Sequence, residues 1–282
     1  MSDRLNYAIL SMDAYNRGYG VAITELGGEG SRIGNAVIGK DAEQLLSAGL
    51  AQSAGFYAIT YSYNGVKVIS FRGTNTADGM LAADVIHGWP LGGGFYNADQ
   101  AELAIEFYRA VVGKTNAGVV RNPYTAPIVT TGHSLGGGLA GYVAMLYGKN
   151  SWVYDTMAFE DGAGATRSDA AIADLAGDPF GFKASIYGQY AIKPTNSAGI
   201  RALQIDGQVL DLPGFVGGVA YIPTTSYDLG SDNDLGLIEK HSQALLVSRI
   251  YADEGITQTD WETASKPLWR AFFNDEIGRA HV

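Results

Sequence analysis

Thr131-Gly132-His133-Ser134-Leu135-Gly136-Gly137-Gly138-Leu139-Ala140 is the stretch on which the fold turns. Before it, Pro127 to Thr131 is a short apolar run of strand length. After it, Leu139, Tyr142, Val143 and Leu146 recur at helical spacing. A G-x-S-x-G pentapeptide at such a strand-to-helix junction holds its serine on a strained turn. The hydroxyl stands above the sheet, and the free N–H groups of the next helix point at it. Gly132 and Gly136 omit side chains that would block the turn. Ser134 is therefore a candidate nucleophile and the Leu135 N–H a candidate oxyanion donor. The rival reading is a glycine-rich turn with an incidental serine. The strand before it and the helix after it weigh against that.

Outward from this junction the elements alternate. Phe56 to Tyr63 and Val66 to Phe71 are β-rich runs separated by Asn64-Gly65, a two-residue hairpin signal. Leu5, Ala8, Ile9, Met12 and Tyr15 recur at helical spacing, with Gly18 as the stop. Residues 18 to 40 read as loop or weak strands, and 73 to 98 as a long loop. Ala104, Phe107, Tyr108, Val111 and Val112 form a helical stripe that Asp99 or Asn97 can cap. Strands follow at Trp152 to Phe159 and Arg201 to Ile205, with a helix near Ser168 to Ala176 between them. Helices near Ser242 to Ala252 and Lys266 to Glu276 finish the chain. Strands alternating with helices imply βαβ units. The expected fold is α/β, a mostly parallel central sheet with helices on both faces and an antiparallel hairpin at the edge. A single domain over 1–282 suits the length.

Composition excludes several classes. A net charge of −10 argues against nucleic acid, whose phosphate backbone calls for a basic face. With no cysteine in the chain, thiolate catalysis, disulfides and Cys-based zinc sites are ruled out. No apolar run approaches the roughly 18 residues of a transmembrane helix. Met1 to Leu10 lacks the basic patch and long apolar stretch of an ordinary signal peptide.

A serine nucleophile needs a base, and the chain offers four histidines. His133 lies inside the turn, with its ring expected to point away from the hydroxyl. His281 is next to the C-terminus, and His87 precedes the serine, against the Ser, acid, His chain order of such sites. His241, just before a helix, remains. The acid that orients it should follow a strand between Ser134 and His241. Asp206, at the end of the Arg201 to Ile205 run, leads. Asp211, Asp161 and Asp178 remain alternatives, each equally readable as a solvated loop carboxylate. Ser70-Phe71-Arg72-Gly73-Thr74 closes the hairpin strand. Gly73 permits a sharp turn there, and Thr74 can offer its N–H and hydroxyl as the second oxyanion donor.

Phe71-Arg72-Gly73-Thr74, followed downstream by Gly132-His133-Ser134-Leu135-Gly136-Gly137, resembles the class 3 lipase family and the exported bacterial lipases that share both motifs. Gly94-Phe95-Tyr96 resembles a further segment of that family, and the likeness is best over residues 56 to 150. It implies an α/β-hydrolase fold and a carboxylic ester hydrolase, lipase or esterase, with phospholipase and polyester hydrolase as variants. The family's oxyanion residue falls on Thr74, its nucleophile on Ser134 and its histidine on His241. Ile205-Asp206-Gly207-Gln208-Val209 is the nearest match to its acid stretch. One alignment sets Gln208 at the acid's place and Asp206 two positions earlier. The resemblance implies no organic cofactor. Repeat-type calcium motifs are missing, which leaves room only for a loop-bound calcium. The expected partner is an ester or lipid, with contact to a lipid interface. Met80, Leu81, Val85, Ile86 and Trp89, or Phe215 and Val216, are candidates for an acyl pocket or lid, or simply loop anchors. The likeness also suggests a secreted bacterial protein without a cleaved signal peptide, with the cytoplasm as the alternative. Other rivals are an acyltransferase or peptidase on the same scaffold and a non-catalytic binding domain.

Overall fold

The computed structural model describes residues 2–18, 27–46, 49–74, 87–93, 99–113, 127–163, 199–208, 210, 224–228, 235–236 and 240–255. Among these residues eight strands pair in chain order: β1 (Arg32–Ile33), β2 (Ala36–Asp41), β3 (Ala58–Tyr63), β4 (Val66–Phe71), β5 (Ile128–His133), β6 (Asn150–Tyr154), β7 (Ile200–Ile205) and β8 (Thr224–Tyr227). From β4 to β8 every pairing is parallel, and from β1 to β4 every pairing is antiparallel. The expected mostly parallel α/β sheet is thus present.

Asn64 and Gly65 both take positive φ, 48° and 77°, and join β3 to β4 with Tyr63 opposite Val66. This is the turn geometry that matches strand twist in two-residue hairpins. The antiparallel end of the sheet extends two strands beyond the hairpin. β1 and β2 come from the glycine-rich stretch that shows little period in the sequence. They are short, and only Ile33, Ala36 and Ile38 of the pair are buried apolar residues. β8 carries as little apolar pattern, because three of its four residues are exposed and polar.

Helices cover both faces. On one lie α2 (Asp99–Val111) and α3 (Leu135–Tyr147), packed with Phe56, Ile69, Phe71 and Val153. On the other lie α1 (Asp3–Asp13) and α4 (Gln243–Asp253), packed with Tyr61, Val68, Tyr154 and Leu203. Neighbouring Val68 and Ile69, and Val153 and Tyr154, face opposite cores, as the two-residue period of a strand requires. Every residue of α3 is buried, so its apolar stripe widens to the whole circumference. The sequence-read helices near Ser168 and Lys266 lie outside the described residues.

The placement of α1 matters for the site. Besides its own helical bonds, its carbonyls accept hydrogen bonds from four strands and α4, the Tyr61 hydroxyl of β3 reaching Leu10 at 3.4 Å. Tyr154 donates to Arg4 (2.5 Å), Thr131 to Tyr7 (3.2 Å), Gln243 to Ala8 (3.1 Å) and Ser70 to Leu10 (3.1 Å). These ties satisfy buried polar side chains and fix the helix along the sheet. The chain continues through a 3-10 turn, Ala14–Asn16, which carries Tyr15 to the ends of β4 and β5. Below it, buried Asp13 pairs with Arg17 and accepts a hydrogen bond from the Tyr61 hydroxyl (2.6 Å). Among the described residues no helix is long and apolar enough to cross a membrane.

Candidate active site

The C-terminal ends of four adjacent strands converge, the usual location of a site on a parallel sheet. From β4 comes the Arg72-Gly73-Thr74 turn, from β5 Ser134, from β6 Asp155 and from β7 the Asp206-Gly207-Gln208 turn.

Ser134 sits between β5 and α3 with φ 55° and ψ −126°, a costly conformation for a residue with a side chain. Its surroundings impose that conformation. Its N–H donates to the Tyr154 carbonyl (3.0 Å), and its own carbonyl accepts from the N–H groups of Gly138 and Met157 (both 3.1 Å). The turn closes only because two glycines touch. A Cβ on Gly132 would come within 2.1 Å of the Gly136 carbonyl oxygen. One on Gly136 would lie 2.2 Å from the Phe71 oxygen and 2.8 Å from the Gly73 nitrogen. The glycine pattern therefore also seats the elbow directly on the Phe71–Gly73 turn.

His241 stands just ahead of α4 and reaches across to the elbow. Its Nε2 lies 2.8 Å from Ser134 Oγ. Its Nδ1 lies 2.6 Å from Gln208 Oε1. That amide oxygen also accepts the Leu210 N–H (3.1 Å), a pure donor, so the oxygen rather than the NH2 faces the histidine. Nδ1 therefore carries the proton and Nε2 is left to accept from the serine hydroxyl. Burial pulls the imidazole down to about 4, so the ring is neutral at pH 7 and free to take a proton.

Asp206, the leading sequence candidate for the acid, does not meet the histidine. It is exposed, and its N–H extends the β7–β8 ladder to the Tyr227 carbonyl (3.1 Å). Gly207 then turns with φ 72°, and Gln208, 2 % exposed, is the side chain delivered inward. The residue at Nδ1 is thus a neutral amide two positions downstream. Asp161 is exposed, and Asp178 and Asp211 lie outside the described residues.

The ring of His133 does point away from the serine hydroxyl, but it is not idle. It packs against the His241 ring with centroids 4.8 Å apart, and its Nε2–H donates to the His241 carbonyl (2.9 Å). The Tyr15 hydroxyl donates to its Nδ1 (2.9 Å), which fixes that tautomer. A carboxylate oxygen of Asp155 lies 3.8 Å from His133 Nε2. Asp155 is fully buried, has φ 38°, and accepts the Ile205 N–H at its other oxygen (2.8 Å). It escaped notice in the sequence because Trp152 to Phe159 reads as one continuous strand. The strand ends at Tyr154, and Asp155 is the residue that turns out of it.

Of the oxyanion candidates, Leu135 is the first residue of α3, where backbone N–H groups have no intrahelical acceptor. Thr74 is half-buried, and its hydroxyl accepts the Trp89 indole N–H (3.0 Å). Arg72 is buried against the Tyr57 ring and donates to the Arg17 carbonyl (3.4 Å), tying the turn to the segment after α1. Of the pocket or lid candidates, Trp89 packs on the core. The others, and Gly94-Phe95-Tyr96, lie outside the described residues, as does His281. His87 pairs with Asp99 at 2.5 Å.

His133, Asp155 and His241 each offer a ligand atom within 4.8 Å of the others. As a metal site the trio fits poorly. All four ring nitrogens are engaged in hydrogen bonds, to Tyr15, the His241 carbonyl, Gln208 and Ser134.

A family described as a Tle-like phospholipase domain matches residues 6–212, a span that holds Tyr15, Thr74, Ser134, Asp155 and Gln208 and stops short of His241. The resemblance carried by the two sequence motifs is upheld at the level of a lipase- or phospholipase-like family, and the match does not reach class 3 lipases in particular. No curated protein matches the chain. Among solved structures it is similar to the Lip2 lipase from Yarrowia lipolytica, at 13% identity and a TM-score of 0.38 over 80% of this chain and 77% of that one. That likeness is too loose to argue from.

Proposed function

For a chain that belongs to the Tle-like phospholipase domain family, we propose hydrolysis of a lipid carboxylic ester, a phospholipid acyl ester first of all, through an acyl-enzyme on Ser134. The observation that carries this is the 2.8 Å contact between Ser134 Oγ, on its strained turn, and a neutral His241 Nε2. Oγ attacks the ester carbonyl carbon as its proton passes to Nε2. The carbonyl π pair moves onto oxygen, where the N–H groups of Leu135 and Thr74 are the donors we assign. His241 then gives the proton to the departing alcohol, and water repeats the sequence to free the fatty acid. Gln208 holds the ring through Nδ1 and keeps Nε2 aimed at the serine.

The test is release of fatty acid from phosphatidylcholine and phosphatidylethanolamine vesicles, set beside a triacylglycerol emulsion and soluble para-nitrophenyl esters, with Ser134→Ala as the control. Activity on vesicles that disappears in the variant supports the reading. Activity confined to soluble esters would refute the lipid assignment, and none in the parent on any ester would refute the hydrolase.

A further inference from the structure

The two tasks usually combined in one triad carboxylate are orienting the histidine and stabilising its positive charge. At His241 the first falls to Gln208, whose amide oxygen accepts Nδ1–H but carries no charge. A transient imidazolium in a buried site needs a counter-charge, since its ionised form is the one that burial disfavours. The described residues offer one buried carboxyl group there, that of Asp155. We infer that Asp155 supplies the missing charge: its carboxylate, at the end of β6, lies within 4.8 Å of a ring nitrogen of both His241 and His133 and balances the imidazolium formed at His241 during the reaction. It is a positioning residue, acting on the reaction through the histidine, and the inference rests on the hydrolase reading above.

The placement suits the task. Asp155 is held in a left-handed conformation, with one oxygen fixed by the Ile205 N–H and its own N–H bonded to the Leu203 carbonyl (2.9 Å). The other oxygen is left on the histidine side, 3.8 Å from His133 Nε2. His133 completes the cluster, its ring tilted against the His241 ring and bonded to the His241 carbonyl. The other titratable groups around the base, among the described residues, do not substitute for the acid. Tyr15 lies behind His133. Asp206 is exposed in the turn after β7, and the Lys240 ammonium lies near Gly207 of that turn. When Ser134 Oγ bonds to the carbonyl carbon, its proton moves to His241 Nε2. The new positive charge then faces Asp155 while Nδ1–H remains on Gln208.

The experiment is to replace the charge and then restore it elsewhere. Asp155→Asn keeps an oxygen for the Ile205 N–H. It is expected to lower kcat roughly a hundredfold with KM nearly unmoved, and to shift the acid limb of the pH profile down by about one unit. Adding Gln208→Glu to that variant puts a carboxylate on Nδ1. Recovery of at least tenfold in kcat, with the limb moving back up, is expected, and a purely structural role for Asp155 would not allow it. Rates are referred to sites titrated with a fluorophosphonate, so that misfolded protein does not count. Should Asp155→Asn not fold, Gln208→Glu alone decides. With a charge already in place it should change kcat less than tenfold, whereas a gain of a hundredfold would show that the site lacked one. Unchanged kcat in Asp155→Asn, or no recovery in the double variant with its sites still titrating, overturns the inference. A parent that hydrolyses no ester and is not labelled at Ser134 refutes the hydrolase reading itself, and the inference with it.

Discussion

Ser134 and Gln208 approach His241 from opposite sides, and the two sides are built by different means. The serine side is a closed jigsaw: Gly132 against Gly136, and Gly136 against the Phe71–Gly73 backbone, leave no room for another conformation. The glutamine side is a short turn in which one left-handed residue, Gly207, decides whether position 206 or 208 faces inward. A rigid motif of this kind determines its own geometry, whereas a turn leaves the outcome to its phase. On one side, losing a few atoms should be ruinous; on the other, the identity of the inward residue should be adjustable.

The largest effects should fall on the rigid side. Ser134→Ala is expected to lower kcat by roughly 10⁴ to 10⁶, and adding His241→Ala should make it no worse, because the two act as a unit. Additive losses in that double variant, measured on any hydrolysed ester, would show that the pair does not share one step. Gly136→Ala attacks the same side through its backbone. A Cβ placed 2.2 Å from the Phe71 oxygen meets main chain that cannot swing aside, so a loss of about 3 kcal/mol in denaturant unfolding is expected along with the activity. A stable, active Gly136→Ala protein would contradict the close packing of the elbow.

The glutamine side comes next. Gln208→Ala removes the acceptor at Nδ1 and frees the ring to rotate, which should lower kcat about a hundredfold. Asp206→Ala, at an exposed ladder position, should stay within about twofold of the parent. The reverse order of effects would restore Asp206 as the orienting residue and show that the turn takes the other phase in solution.

This contrast also explains what could be read in advance. The elbow, the hairpin and the parallel strands were legible because each rests on local chemistry: glycine at steric contacts, Asn64-Gly65 at a two-residue turn, and apolar runs of strand length. His241 was legible by elimination among four histidines. The partner of its Nδ1 was legible only through the family resemblance, one alignment of which set Gln208 there; the residues alone pointed to Asp206, since a strand's end and the phase of the turn after it are fixed by pairing with a neighbour, here Asp206 with Tyr227 in β8. β8 itself was invisible, being nearly all exposed and polar. Asp155 was hidden for a related reason, inside an apolar run that continues past the residue where the strand stops. Tyr15 ended a helical stripe and looked like core. Its hydroxyl meets His133 only because α1 is tied across the sheet by side chains from distant parts of the chain.

The pH dependence joins the two sides, because His241 touches both. Burial holds its imidazole at about 4, against an ordinary 6.5. The base is lost only when Nε2 is protonated, so the acid limb of kcat/KM should lie near 4 and the rate should be flat from about pH 5 to 7. The stability consequence has the same sign. Between 6.5 and 4 the unfolded chain takes up a proton at this position and the folded chain does not. The contribution of His241 to stability is therefore complete above 6.5 and shrinks as the pH falls toward 4. Replacing His241 by Gln should flatten that part of the stability curve. An acid limb at 6 or above in the parent would mean that a carboxylate, Asp155 first of all, offsets the effect of burial on the ring.

The smallest expected effect belongs to the residue farthest from the chemistry. Tyr15→Phe removes the donor to His133 Nδ1 and leaves a buried acceptor unsatisfied, which should cost about 1 to 2 kcal/mol in unfolding. Its effect on rate depends on what His133 does. With Nδ1 no longer held, the ring can place its proton there instead, and Nε2 then ceases to donate to the His241 carbonyl. Loosening of the base follows, and kcat should fall about tenfold while Ser134 still reacts with a fluorophosphonate. A stability loss without a rate loss would reduce His133 to packing. The rate loss with stability intact would show that the tautomer, set from α1 through Tyr15, matters to the base more than to the fold.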